Sequence, residues 1–109
     1  MRGRYISHVE DKPMAWGKAF HDPSEAIKAT YDLVLNRAQT NGNGAGAVLD
    51  SASNQIIALM EDGPRGWPDD PDIGVDFLPL PKGDEHARMV AVIRGFHDGT
   101  AGGDVAYLR

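Results

Sequence analysis

The side chains that could do chemistry here are four histidines, four serines and a dense group of carboxylates. The histidines are His8, His21, His86 and His97. None is spaced as HxH, HExxH or HxxxH, the separations that place two imidazoles on one metal. His21-Asp22 and His97-Asp98 are adjacent pairs, but sequence neighbours usually point apart. No G-x-S-x-G surrounds Ser7, Ser24, Ser51 or Ser53. The chain has no cysteine. Thiolate zinc sites, disulfides, cysteine nucleophiles and CxxC redox chemistry are therefore excluded.

The carboxylates are the most unusual feature. Residues 61–85 hold eight acids (Glu61, Asp62, Asp69, Asp70, Asp72, Asp76, Asp84 and Glu85) against Arg65 and Lys82, a net charge of −6. The whole chain carries −5, so the remainder is close to neutral. Five of the seven prolines lie in the same stretch. A calcium loop of the EF-hand type needs Asx at positions 1, 3 and 5 and glycine at 6. Counting from Asp70, position 5 is Gly74 and position 6 is Val75, so the pattern fails. The other chemistry open to clustered acids is steering of a basic partner, which raises its association rate. Trp67 lies among them, and tryptophan is enriched at interface hot spots. Trp67, Asp69, Asp70, Asp72 and Asp76 are thus the candidate partner-binding residues. The competing reading has Trp67 and Phe77 pinning the loop to the core, with the acids simply solvated.

Gly42-Asn43-Gly44-Ala45-Gly46 resembles the G-x-G-x-x-G/A phosphate fingerprint through Ala47. That fingerprint works after a strand and before a helix, where the helix N-terminus meets the phosphate. Here the glycines follow a helical pattern and precede a strand pattern. They read as a helix stop and flexible turn. An acyl-CoA reading of Gln39 to Ala45 fails on the same order of elements.

The elements that must position these groups can be read from periodicity. Arg4 to Glu10 alternates as a strand, with Tyr5, Ser7 and Val9 on one side and Ile6 and His8 on the other. Residues 14–21 are ambiguous between strand and loop. Asp22 and Pro23 open a helix over about 23–40, with Glu25 completing a capping-box pattern. Its apolar stripe is Ile27, Tyr31, Val34 and Ala38, widened by Leu35. Ala45 to Met60 reads as a hairpin turning at Ser51-Ala52-Ser53-Asn54, its strands covered on both faces. Residues 61–85 read as a long Pro-rich acidic loop. Met89 to Ile93 is rich in β-branched residues, and Asp98-Gly99 signals a hairpin returning along Val105 to Leu108. A helix from Asp84 to His97 fits nearly as well, but Gly95 costs it about 1 kcal/mol. Strand is the reading adopted.

The expectation is one α+β domain over 1–109: an antiparallel sheet of about 4–5 strands packed on one main helix. Leu, Ile, Val and Phe together number 23 of 109, so the core is thin and homodimerisation would add buried area. No apolar run approaches the ~20 residues that span a bilayer. The chain reads as soluble and cytoplasmic, without cofactor or metal. Its acidity argues against direct nucleic-acid binding. The leading functional reading is a non-catalytic protein-binding module docking a basic surface through residues 61–85. By size and charge alone it is of the kind found among immunity and phage anti-defence inhibitors of nucleic-acid enzymes. The alternative is a small α+β enzyme or ligand-binding domain using Glu85, His86, His97 and Asp98, with the loop as a lid.

Overall fold

The computed structural model describes residues 3–11, 14–41, 44–64, 73–97 and 104–107. The elements in chain order are β1 (Tyr5–Asp11), β2 (Met14–Phe20), α1 (Pro23–Asn41), β3 (Ala45–Asp50), β4 (Gln55–Pro64), β5 (Ile73–Phe77), α2 (Gly83–His97) and β6 (Asp104–Tyr107). The fold is α+β. Its sheet has the order β5-β4-β3-β1-β2-β6. The first five strands pair antiparallel, and β6 runs parallel to β2. The ambiguous residues 14–20 are therefore a strand, in hairpin register with β1 (Val9 opposite Trp16, His8 opposite Gly17).

Alternation assigns the two faces. Val9, Val48, Ala58, Met60 and Val75 pack with Ala26 and Val34 of α1. Ile6, Ala47, Leu49 and Ile56 pack with Ile93 of α2. The sheet thus carries one helix on each face, and every residue of β3 after Ala45 is buried. In a regular strand Ile56 and Leu59, three apart, would face opposite ways. Both lie on the α2 face. The register slips at Val48/Leu49, so that Val48 pairs with Ala58 and Leu49 with Ile56. Ile57 is the extra residue of a β-bulge, and it resets the phase of the strand.

Helix α1 begins where the cap sequence places it. The Asp22 carboxylate accepts the Ser24 N–H at 3.0 Å, and the Asp22 carbonyl accepts the Ala26 N–H at 3.1 Å. Its buried centre is Ala26, Thr30 and Val34, flanked by half-buried Ile27, Tyr31 and Leu35. The stripe is thus rotated toward small side chains, and these let the helix lie close to the sheet. Thr30 Oγ1 donates to the Ala26 carbonyl at 2.7 Å. Its one proton is then committed, so Ser7 Oγ donates to Thr30 Oγ1, at 2.6 Å. Gly46 lies beneath. A Cβ there would sit 2.7 Å from Thr30 Cγ2 and 2.9 Å from Val34 Cγ2. This glycine serves close approach of helix and sheet, not the flexible turn that the glycine run suggests.

Residues 83–97 are a helix, not the strand that Met89 to Ile93 suggests. Ile93 is buried and Met89 and Val90 are half-buried on one side. Burying that stripe outweighs the cost of Gly95. The strand expected to return beside Met89 to Ile93, from Val105, is β6, which pairs in parallel with β2 instead (Val105 opposite Ala15, Ala106 opposite Trp16). The range read as a loop also contains structure, since β4 continues to Pro64 and β5 occupies Ile73–Phe77. Residues 65–72 lie outside the described part. No helix among the described residues is long and apolar enough to cross a membrane.

The β3–β4 turn is clamped from two sides. Arg4 Nε and Nη2 each donate at 2.7 Å to the two oxygens of Asp50. Ser51 N–H and Oγ–H both donate to the Arg4 carbonyl. From α2, Arg94 donates to the Ser51 carbonyl and to Asn54 Oδ1, both at 2.7 Å. Asn54 sits at φ 55°, in the left-handed region that asparagine tolerates.

Candidate functional site

Of the candidate partner-binding residues, Trp67, Asp69, Asp70 and Asp72 lie outside the described residues. Asp76 is half-buried on β5, in register with Glu61 on β4. β5 is the terminal strand of the sheet, so Asp76 lies on an edge strand. Phe77, the next residue, is 57 % exposed although its ring stacks on Tyr31 of α1 with centroids 6.3 Å apart. The two rings wall an open groove between α1 and β5, completed by Ser24, Ile27 and the Lys28–Asp32 pair. Leu80, 46 % exposed, follows on the same connection. The edge therefore combines acid with exposed aromatic surface.

The catalytic alternative is placed differently. His86 Nε2 accepts the Ile56 N–H at 3.1 Å, so the ring proton sits on Nδ1. Ile56 lies beside the bulge, in register with Leu49. His86 is the docking point of α2 on β4. Glu85 is exposed in the first turn of α2. His97 ends the same helix, and Asp98 lies outside the described residues. No group of three or more metal-ligating side chains occurs among the described residues.

The opposite face of the sheet holds a feature that the sequence reading missed. Between α2 and strands β1, β3 and β4 lies a cleft of about 310 Å³. Its walls include His8, Ala47, Leu59, Arg88, Met89 and Ile93. Most of the surface is apolar, and the polar side chains are His8 and Arg88. His8 is only 3 % exposed. In register it faces Gly17 on one side and Ala47 on the other. Small neighbours on both strands leave the space that a larger pair would fill. The available signal was one histidine in an alternating strand flanked by small residues, which becomes visible only once the strand order is known.

No family model matches this chain, and neither does any curated protein or solved structure.

Proposed function

We propose that this protein is a non-catalytic binding module that docks a basic protein surface along the β5 edge of its sheet. The observation that carries the reading is the coincidence of charge and aromatic surface. A −6 stretch of sequence brackets β5, and exposed Phe77, stacked on half-buried Tyr31, opens beside it. Acids at a rim set the rate and orientation of encounter, while aromatic anchors slow departure. Trp67 would add a second anchor, with Asp69, Asp70, Asp72 and Asp76 as the charged rim. An inhibitor whose carboxylates stand in for the phosphates of a nucleic acid is the form of such a module that fits its size and charge.

Affinity capture from the native organism, followed by kinetics on the captured partner, tests this. The triple Asp69, Asp70 and Asp72 to Asn variant should lower the association rate about tenfold at low salt and flatten its salt dependence. Phe77→Ala should act on the dissociation rate instead. A partner whose kinetics ignore both changes would show that the edge is not the docking surface.

A further inference from the structure

The cleft beneath α2 lies on the other face of the sheet from the aromatic groove and is independent of it. Its construction is specific. The floor is made by Gly46, Ala47 and the edge of His8 on β3 and β1, and the roof by Met89 and Ile93 of α2. Leu59 closes one side, where the bulge brings it onto this face. Val92, on the rim, is 46 % exposed. A cleft with these walls favours an apolar occupant. The second observation concerns charge. Arg4 and Arg94 are both engaged in holding the β3–β4 turn. Arg88 lines the cleft, is exposed, and has no hydrogen-bond or ion-pair partner among the described residues. A guanidinium in that position presents a planar fork matched to a carboxylate.

We propose that the cleft binds a small amphipathic carboxylic acid, its tail between Ala47, Leu59, Met89 and Ile93 and its carboxylate on Arg88. The cleft, about 310 Å³, lies at the small end of ligand pockets. Octanoate, a short chain with one carboxylate, is the probe of choice. A ligand this small reaches a dissociation constant on the order of 1 mM or somewhat below. The anion is specified by one cation in a protein whose overall charge is −5, so loss of Arg88 should be felt strongly.

The test is a titration of the labelled full chain by two-dimensional amide NMR with octanoate, and in parallel with 1-octanol. Octanoate should give saturable shifts at Ala47, Leu59, Val92 and Ile93. Arg88→Gln, a change at an exposed side chain, should weaken octanoate at least tenfold and leave octanol unchanged. Ala45→Leu, on the rim of the cleft, should weaken both. Absence of saturable shifts at these residues, or an Arg88→Gln variant that binds octanoate as well as the parent, overturns the proposal.

Discussion

Gly46→Ala probes the packing of the fold most directly. The new Cβ would lie 2.7 Å from Thr30 Cγ2, 2.9 Å from Val34 Cγ2 and 3.2 Å from Val9 Cγ2. Carbon pairs rest at roughly 3.5–4.0 Å, so the first two contacts are short by nearly 1 Å. Thr and Val are β-branched and cannot swing clear within their helical rotamers. The helix must lift instead. Overpacking of this kind costs about 1–3 kcal/mol. Lifting α1 also stretches the Ser7–Thr30 hydrogen bond, now 2.6 Å, at about 1 kcal/mol more. The smaller entropy of the unfolded chain with alanine returns roughly 0.5 kcal/mol. The net expectation is a loss of about 2–3 kcal/mol. Urea denaturation followed by circular dichroism measures it, as a fall of about 1–2 M in midpoint with unchanged slope. The cause is separable from a general dislike of substitution. Thr30→Ser removes Cγ2 but keeps the hydroxyl that serves Ser7 and Ala26. Adding it to Gly46→Ala should recover about 1 kcal/mol as a favourable coupling. A Gly46→Ala loss below 0.5 kcal/mol, or a double variant that is merely additive, would refute the close-approach argument.

Two further outcomes follow from side-chain placement. Hydrogen bonds from Arg4 hold the Asp50 carboxyl well below the usual carboxylate range, with Ser53 and the Ala52 N–H assisting against the opposing effect of burial. A depressed native pKa means that this stabilisation is complete above about pH 4 and is lost as pH falls from there toward the native value. Asp50→Asn should therefore lower the urea midpoint at pH 7 and flatten its dependence between pH 4 and pH 2. His86→Ala leaves the Ile56 N–H beside the bulge without its acceptor, a loss of about 1–2 kcal/mol. The Ile56 amide should then exchange with solvent faster, while the exchange of α1 amides stays near its original rate.

Legibility in the sequence tracked how local each determinant is. The start of α1 is written in Asp22 and Pro23, and its turn-mates realise the cap. The hairpin of β3 and β4 is written in two apolar runs around Ser51 to Asn54. The α2 segment misleads because β-branched residues and Gly95 speak for strand locally, whereas the deciding contacts, Ile93 in the core and His86 on Ile56, come from 30 or more residues away. The glycine run reads as a turn for a similar reason. What excludes a side chain at Gly46 belongs to Thr30 and Val34, on a different element. β5 left a trace, since Ile73, Val75 and Phe77 alternate inside the acidic stretch, but prolines on both sides obscured it. The cleft draws on four elements and has no linear signature. The clustered charge, by contrast, is a property of sequence alone and is legible in full.

The clamp on the β3–β4 turn has a kinetic consequence. Its bonds join Arg4 to Asp50 across 46 positions and Arg94 to Asn54 across 40. Contacts so distant along the chain close only after the strands and α2 are assembled. They are therefore expected to be absent from the folding transition state and present in the native state. Bonds with that timing leave the folding rate nearly unchanged and lengthen the lifetime of the folded protein. The two arginines act as latches on a structure that has already formed.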